Sequence, residues 1–473
     1  MDRQAPRVVI VGAGLAGLSA GIKLLEERPE AKVTLYTLGH HLGGKATSYK
    51  DDDGFNIDHG FHAIPTNYRR FRSLLSRAGV DESETLVLDK GTYYYDERTR
   101  KVAKSGAGTD PESRRDALRT ALFFTRNLAT IYGEEDIEQY DDICWTAWAV
   151  ERGLDEELTK TRSFRFSRDA LFNWPHEVSA YITLKSLRLM AGSGRYYLVD
   201  GTYGDDIIEP IVDHFRKLGG TVKRLHKLVE VLHDGTRVTG LKFALPDFNF
   251  HNHGRTKWER SVRVLPERSA TVTEFDDVIL AVPVDNLREL NADDERFWTG
   301  SFKGIENLQT VVTLSYQVWT KQCVLPGNSG CVNGLDEPLP MVIDYKQIKS
   351  RYKNDDRFGS VLEWVGQETS FEGLTDEELK QKAFESLLLI PGAKDPRQAG
   401  IIHESLNRNS SNHERYLLTD PGTLQFRPHS TTHFRNLFLA GDWIRNEVGV
   451  PNMEGAVSSG YTAASQLLSE GRG

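Results

Sequence analysis

The stretch that most restricts this chain is "VVIVGAGLAGLSAG", which begins at Val8. It places Gly12, Gly14 and Gly17 in GxGxxG register between an apolar run and a helical pattern. Gly12 permits a tight turn, Gly14 lets backbone approach a pyrophosphate, and Gly17 lets helix and strand meet closely. The free N–H groups of the following helix, with its positive dipole end, suit phosphate. A GxGxxG alone says little. Here "RVVIV" precedes it, "GLSAGIKLLEER" follows with Leu18, Ile22 and Leu25 on one side, and "AKVTLY" supplies a second strand. That β-α-β context over residues 7–39 is the test for a dinucleotide fold. An acid for the adenosine ribose belongs about 20 residues further on. The slot falls at Thr37 instead, whose hydroxyl offers one bond without charge and would not repel a 2′-phosphate.

At 473 residues the chain is too long for one simple core. Its 39% hydrophobic and 27% charged content is that of a soluble globular protein. A net charge of −9 without a dense basic face argues against nucleic acid. Cys144, Cys323 and Cys331 have no CxxC spacing and are odd in number, which fits a reducing, cytoplasmic setting. No metal cluster is expected: the His40-His41 pair has no matching ligands and reads as loop, and "YKDDDGF" reads as a solvated turn. No apolar run reaches the ~20 residues of a membrane span.

Three later stretches choose flavin over nicotinamide. "LGGKATSY" sets Gly43 and Gly44 before Lys45, a second backbone-plus-charge clamp for a pyrophosphate. "NLFLAGDW" is a buried strand delivering Gly441 and Asp442 to a loop, where Asp442 can accept from ribityl hydroxyls or backbone N–H groups. "PNMEGAVSSG" starts a helix near Met453, carrying Ala456, whose N–H groups would face the flavin N1–C2=O edge and stabilise its anionic reduced form. The implied cofactor is FAD.

The rest of the chain alternates in texture. "DDIIEPIVDHFRKLGG" is a helix stopped by Gly219-Gly220, "LVEVLHDGTRVTGLKFA" a hairpin turning at Asp234-Gly235, and "DDVILAVP" a buried strand. "TVVTLSYQVW" and "SVLEWVGQ" predict a second, half-buried sheet. Residues 86–199 look like a helical insertion, including "FNWPHEVSAYITLKSLRLM" and a stripe of Leu118, Ala121, Leu122, Leu128, Ala129 and Tyr132. That stripe is either domain core or a membrane-docking face, with Arg114, Arg115, Arg119 and Arg126 beside it. The expected fold is α/β (α+β overall). A discontinuous Rossmann-like FAD-binding domain comprises 1–85, 200–300 and 411–473. A substrate domain of helices and a second mixed sheet comprises 86–199 and 301–410.

GxGxxG, GGK, GDW and MEGAVxSG, in that order, resemble the flavin-containing amine oxidase superfamily, and most closely its carotene desaturase branch of phytoene and ζ-carotene desaturases. The likeness covers roughly 8–82, 171–283 and 415–468. It implies hydride transfer from a substrate C–H bond to flavin N5. It also implies a pyrophosphate site at Gly12, Ala13, Gly14, Leu15, Ala16, Gly17, Gly44 and Lys45. Leu228 would bracket adenine, and Ala281, Val282 and Pro283 would line the cofactor. Gly60, Phe61 and His62 would approach the isoalloxazine, with Asp442 and Met453 closing the site. Thr37 stands where the family has its ribose glutamate. The segment "IRNEVGVP" departs from the plant-type desaturase loop. His62 is a candidate proton carrier or orienting group, though such a histidine also serves simply to satisfy a backbone bond. Trp443 would stack by the ring or substrate, or lie in the core. Asp58 is a second polar anchor. The substrate implied is a small, lipophilic, isoprenoid-like molecule, with peripheral membrane contact to collect it. The competing readings are an amine oxidase, whose aromatic cage would draw on Tyr316, Trp319 and Trp364, a double-bond isomerase, and a flavin-binding scaffold without catalysis.

Overall fold

The computed structural model describes residues 5–39, 41–58, 60–89, 92–96, 100–104, 114–133, 136–159, 166–190, 195–246, 264–327 and 330–470. Four apolar runs, spread along the chain from residue 7 to residue 439, meet in one five-stranded sheet. Its order is Thr221–Lys223, Lys32–Tyr36, Arg7–Val11, Asp277–Leu280, Leu437–Leu439. All neighbours are parallel. Parallel strands are covered on both faces, so they read as unbroken apolar runs. Val8, Ile10 and Ile279 pack into one core cluster, and Val9, Val11, Val278 and Leu280 into another on the opposite face. Helix Leu15–Glu27 follows the first strand and lies against the closing helix Met453–Glu470. Their approach needs small residues: a Cβ on Gly460 would collide with the carbonyl of Ala16.

The predicted hairpin is present as Lys227–His233 paired antiparallel with Val238–Pro246, and a third strand, Val264–Val272, extends it. The Asp234 carboxylate accepts the N–H groups of Thr236 and Arg237 in the turn, at 2.8 Å each. Helix Glu209–Lys217 ends as expected, with Gly219 at φ 100°.

The second sheet has seven strands. Thr313–Thr320 pairs antiparallel with Ser360–Gln367 on one side and Ile401–Asn409 on the other. Two expectations need correction. This sheet is buried on both faces rather than half buried. Val312, Leu314, Tyr316 and Val318 face a helix-backed core, while the opposite face carries Ser315, Gln317 and Glu363, all buried. The stretch read as a helical insertion also contributes strands: Tyr93–Asp96 joins the seven-stranded sheet by parallel pairing with Cys331–Asn333.

The helices of that stretch form a core of their own around Trp145 and Trp148, whose rings stack 5.1 Å apart. The stripe at 118–132 does not join it. Phe123 and Ile131 turn inward, whereas Leu118, Leu122, Leu128 and Tyr132 are 61%, 45%, 55% and 44% exposed. The domain-core reading of that stripe is therefore overturned. Among the described residues no helix is long and apolar enough to cross a membrane.

Candidate active site

Several chain segments converge on one cavity at the carboxyl ends of the parallel strands, where such folds bind ligands. The fingerprint forms its floor. Gly12 sits at φ 113°, and a Cβ there would collide with the carbonyl of Ala281. A Cβ on Gly17 would collide with the carbonyl of Gly12, so Gly17 serves packing and does not line the cavity. Gly14 differs: the nearest protein atom to an added Cβ is Gly44 Cα at 3.9 Å, and the open side is the cavity. Ala13, Leu15 and Ala16 line it too.

The GGK clamp is fastened directly to that loop. Gly43 N–H donates to Ala13 C=O at 2.8 Å, and Gly14 and Gly43 bridge as in a parallel sheet. Gly44 and Lys45 follow into the cavity. Thr37 lines the far end, with its N–H on Lys223 C=O and its own C=O taking the N–H of His226, both at 2.9 Å. This places His226, Lys227 and Leu228 beside Thr37. Ala281 N–H reaches Val11 C=O at 2.7 Å, which brings Ala281, Val282 and Pro283 alongside.

The closing wall is Gly441, Asp442, Met453 and Ala456. Gly441, at φ 152°, donates its N–H to Ser459 Oγ at 2.8 Å. Asp442 Oδ2 stands 3.9 Å from Lys45 Nζ, so the two clamps face one another. Trp443 is 2% exposed, belongs to the core beneath the sheet, and donates its indole N–H to Val282 C=O at 2.9 Å. Although it borders the cavity, its packing is that of a core residue. His62 also borders the cavity, with Nδ1 2.8 Å from the carbonyl of Gly60 and its own carbonyl accepting the Tyr203 hydroxyl at 2.7 Å. Gly60 and Phe61 stand back from it; Phe61 packs against the core behind the seven-stranded sheet.

Several lining residues carried no readable pattern. His41, read as loop, borders the cavity, as do His413 and Tyr416; His40 lies outside the described residues. Burial, and then the charge of Asp442, push the Tyr416 phenol well above its ordinary pKa. His413 and Tyr416 lie more than twenty residues before the strand of "NLFLAGDW" and belong to no motif of their own. The acidic turn is likewise more than solvated: Asp51 Oδ2 lies 2.7 Å from His403 Nε2 on the seven-stranded sheet. Asp58 is no cavity residue. It is buried 3.7 Å from Lys349 Nζ.

The comparisons with known proteins agree with this geometry. Residues 15–468 match the family described as flavin containing amine oxidoreductase, and the chain belongs to that family. It is 25% identical to a 15-cis-phytoene desaturase of Synechococcus elongatus, across 98% of this chain and 96% of the relative. It is also 25% identical to a probable ζ-carotene desaturase of the same organism, across 98% of both. Among solved structures, a putrescine oxidase double mutant shares the fold at TM-score 0.72 and 16% identity, covering 98% of this chain and all of that one. The chain is an FAD-dependent oxidoreductase. Its residues fit that cofactor on their own chemistry. Beside the fingerprint loop the cavity lining carries the Lys45 ammonium and the backbone of Gly43 and Gly44, a cation and N–H donors that suit a pyrophosphate. Gly14, moreover, has room for a ligand where a side chain would intrude.

Proposed function

We propose that the enzyme removes a hydride from a C–H bond of a lipophilic, isoprenoid-like substrate, as a desaturase or dehydrogenase. The observation that carries this reading is end-to-end similarity to phytoene and ζ-carotene desaturases. In the same reading the fingerprint loop, Gly43, Gly44 and Lys45 hold the pyrophosphate. Thr37 and Leu228 flank the adenosine, Ala281 to Pro283 run along the cofactor, and Asp442, Met453 and Ala456 close over it. Bound FAD supplies the hydride acceptor; the protein positions, neutralises charge and excludes water. The Gly60 carbonyl orients the His62 ring through Nδ1 beside the cavity. The division into FAD and substrate domains at the boundaries given above is part of the proposal.

Against an amine cage stands the fate of its candidates. Tyr316, Trp319 and Trp364 are buried in the seven-stranded sheet and do not border the cavity. The exposed leucines at 118, 122 and 128, beside Arg115, Arg119 and Arg126, support peripheral membrane contact through which such a substrate arrives.

Anaerobic flavin bleaching tests the reading. Carotene-like lipids in detergent should bleach the visible band, and simple amines should leave it unchanged. Bleaching by amines alone, with peroxide on re-oxidation, would establish the amine oxidase instead.

A further inference from the structure

The segment "IRNEVGVP" lies between two parts of the closing wall. Asp442 and Trp443 border the cavity at its start, and Asn452 and Met453 at its end. One side chain from outside the segment holds both arms. Arg427, 2% exposed, donates through Nε to Trp443 C=O at 2.9 Å and through Nη1 to Gly449 C=O at 2.7 Å. Its Nη2 donates to Asp442 C=O at 3.0 Å and to Ile444 C=O at 2.9 Å. Among the described residues no carboxylate lies within ion-pair distance of it. Burial draws its pKa down, against the fields of Asp442 and Asp141, yet a guanidinium stays charged.

A cation buried among carbonyls is costly, and four peptide acceptors converge on it. A rigid five-donor fork is the one side chain that can hold such a set at fixed angles. The remaining anchors are lighter. Asn446 Oδ1 takes the N–H groups of Val448 and Gly449 at 3.0 Å each, and Tyr416 donates its hydroxyl to Pro451 C=O at 2.6 Å. On the outside, Arg445 pairs with Glu138 at 3.1 Å, and Lys185 reaches Glu447 C=O at 3.3 Å, which ties the segment to the helical region.

We propose that Arg427 is a positioning residue for the flavin: by gripping both arms of the 442–449 segment it sets the separation between Asp442 and the N-terminus of helix Met453–Glu470. The field of a helix terminus falls off within its first turn, so that separation controls how strongly the protein favours charge on the bound cofactor. A residue that merely cements the fold would affect stability and nothing else. This inference rests on the cofactor and the fold, not on the substrate assigned above.

The test uses the FAD-loaded enzyme with R427K, R427Q and N446A. R427K keeps the charge but loses the fork. N446A loosens the same segment without touching the buried charge. FAD affinity is read by fluorescence after deflavination, the flavin midpoint potential by dye equilibration, and folding by circular dichroism. R427K should bind FAD about tenfold more weakly and show a lower potential, with R427Q further in the same direction and N446A less far. If R427Q does not fold, R427K and N446A decide the matter. Variants that lose thermal stability but keep wild-type FAD affinity and potential overturn the proposal.

Discussion

The two large sheets reach their functions by different means. The five-stranded sheet makes its site from backbone: carbonyls, N–H groups and glycines that leave space. The seven-stranded sheet meets the rest of the molecule through buried side chains. On that face Glu363 accepts the hydroxyls of Ser315, at 2.7 Å, and of Tyr345, while Lys349 sits near Asp58 and over the Tyr345 ring at 4.2 Å. Backbone-made geometry demands particular residue types at particular spacings, and can therefore be recognised. Side-chain-made geometry needs only that distant residues meet.

The largest expected effect breaks the first region in two ways that separate fold from ligand. Gly17→Ala drives a Cβ into the carbonyl of Gly12, and should cost about 3 kcal/mol of stability along with FAD retention. Gly14→Ala has room within the protein and an ordinary φ of −76°, so its stability should stay within about 0.5 kcal/mol of wild type. Its FAD affinity should nonetheless fall about a hundredfold, since the methyl occupies ligand space. Urea denaturation and FAD titration of both variants check this. Equal losses of stability would mean that Gly14, too, is only a packing residue.

The second sheet is tested by pH. Burial, and then the charge of Asp58, raise Glu363 from the usual 4.5 to about 7, against the opposing pull of the Tyr345 and Ser315 hydroxyls and Lys349. Between those values the native state binds more protons than the unfolded one. The stabilisation is therefore complete below about pH 4.5 and lost as pH rises through about 7. Glu363→Gln keeps a hydrogen-bonding side chain and removes the titration. Its stability relative to wild type should thus improve by about 3 kcal/mol between pH 4.5 and 8, on the scale of 1.36 kcal/mol per unit. A difference that does not change with pH would mean that Glu363 does not take up a proton on folding in this range.

How much of this was legible follows the same division. "RVVIV", "DDVILAVP" and "NLFLAGDW" each announce a doubly buried strand, and GGK announces a clamp, because the local chemistry suffices. Nothing local marks Arg427 as the holder of a segment 15 residues on, or pairs Asp58 with Lys349. The stripe at 118–132 fails for another reason. Periodicity shows that a helix has an apolar side, but not whether that side has anything to pack against. Leu118→Ser with Leu122→Ser should leave stability within about 0.5 kcal/mol, as the sites are exposed, and reduce sedimentation with anionic liposomes severalfold, because apolar area is lost with no change in charge. Unchanged liposome binding would remove the membrane role from this helix.

The smallest effect concerns the one place where the backbone-made site lacks an expected side chain. Thr37 is half buried on the cavity wall where the adenosine is proposed to lie, its backbone already committed to Lys223 and His226. Its hydroxyl can offer a ribose one neutral bond, where a carboxylate would form stronger charge-assisted ones. The nearby cation would not be drawn away by a new acid without cost, because Lys227 Nζ is engaged by Glu289 at 3.1 Å. With the adenosine placed as proposed, Thr37→Glu should therefore tighten FAD by a few fold, about 1 kcal/mol, with no change in the flavin potential. Unchanged or weaker FAD retention would show that the ribose is already served by another group on this wall, and would direct attention to His226.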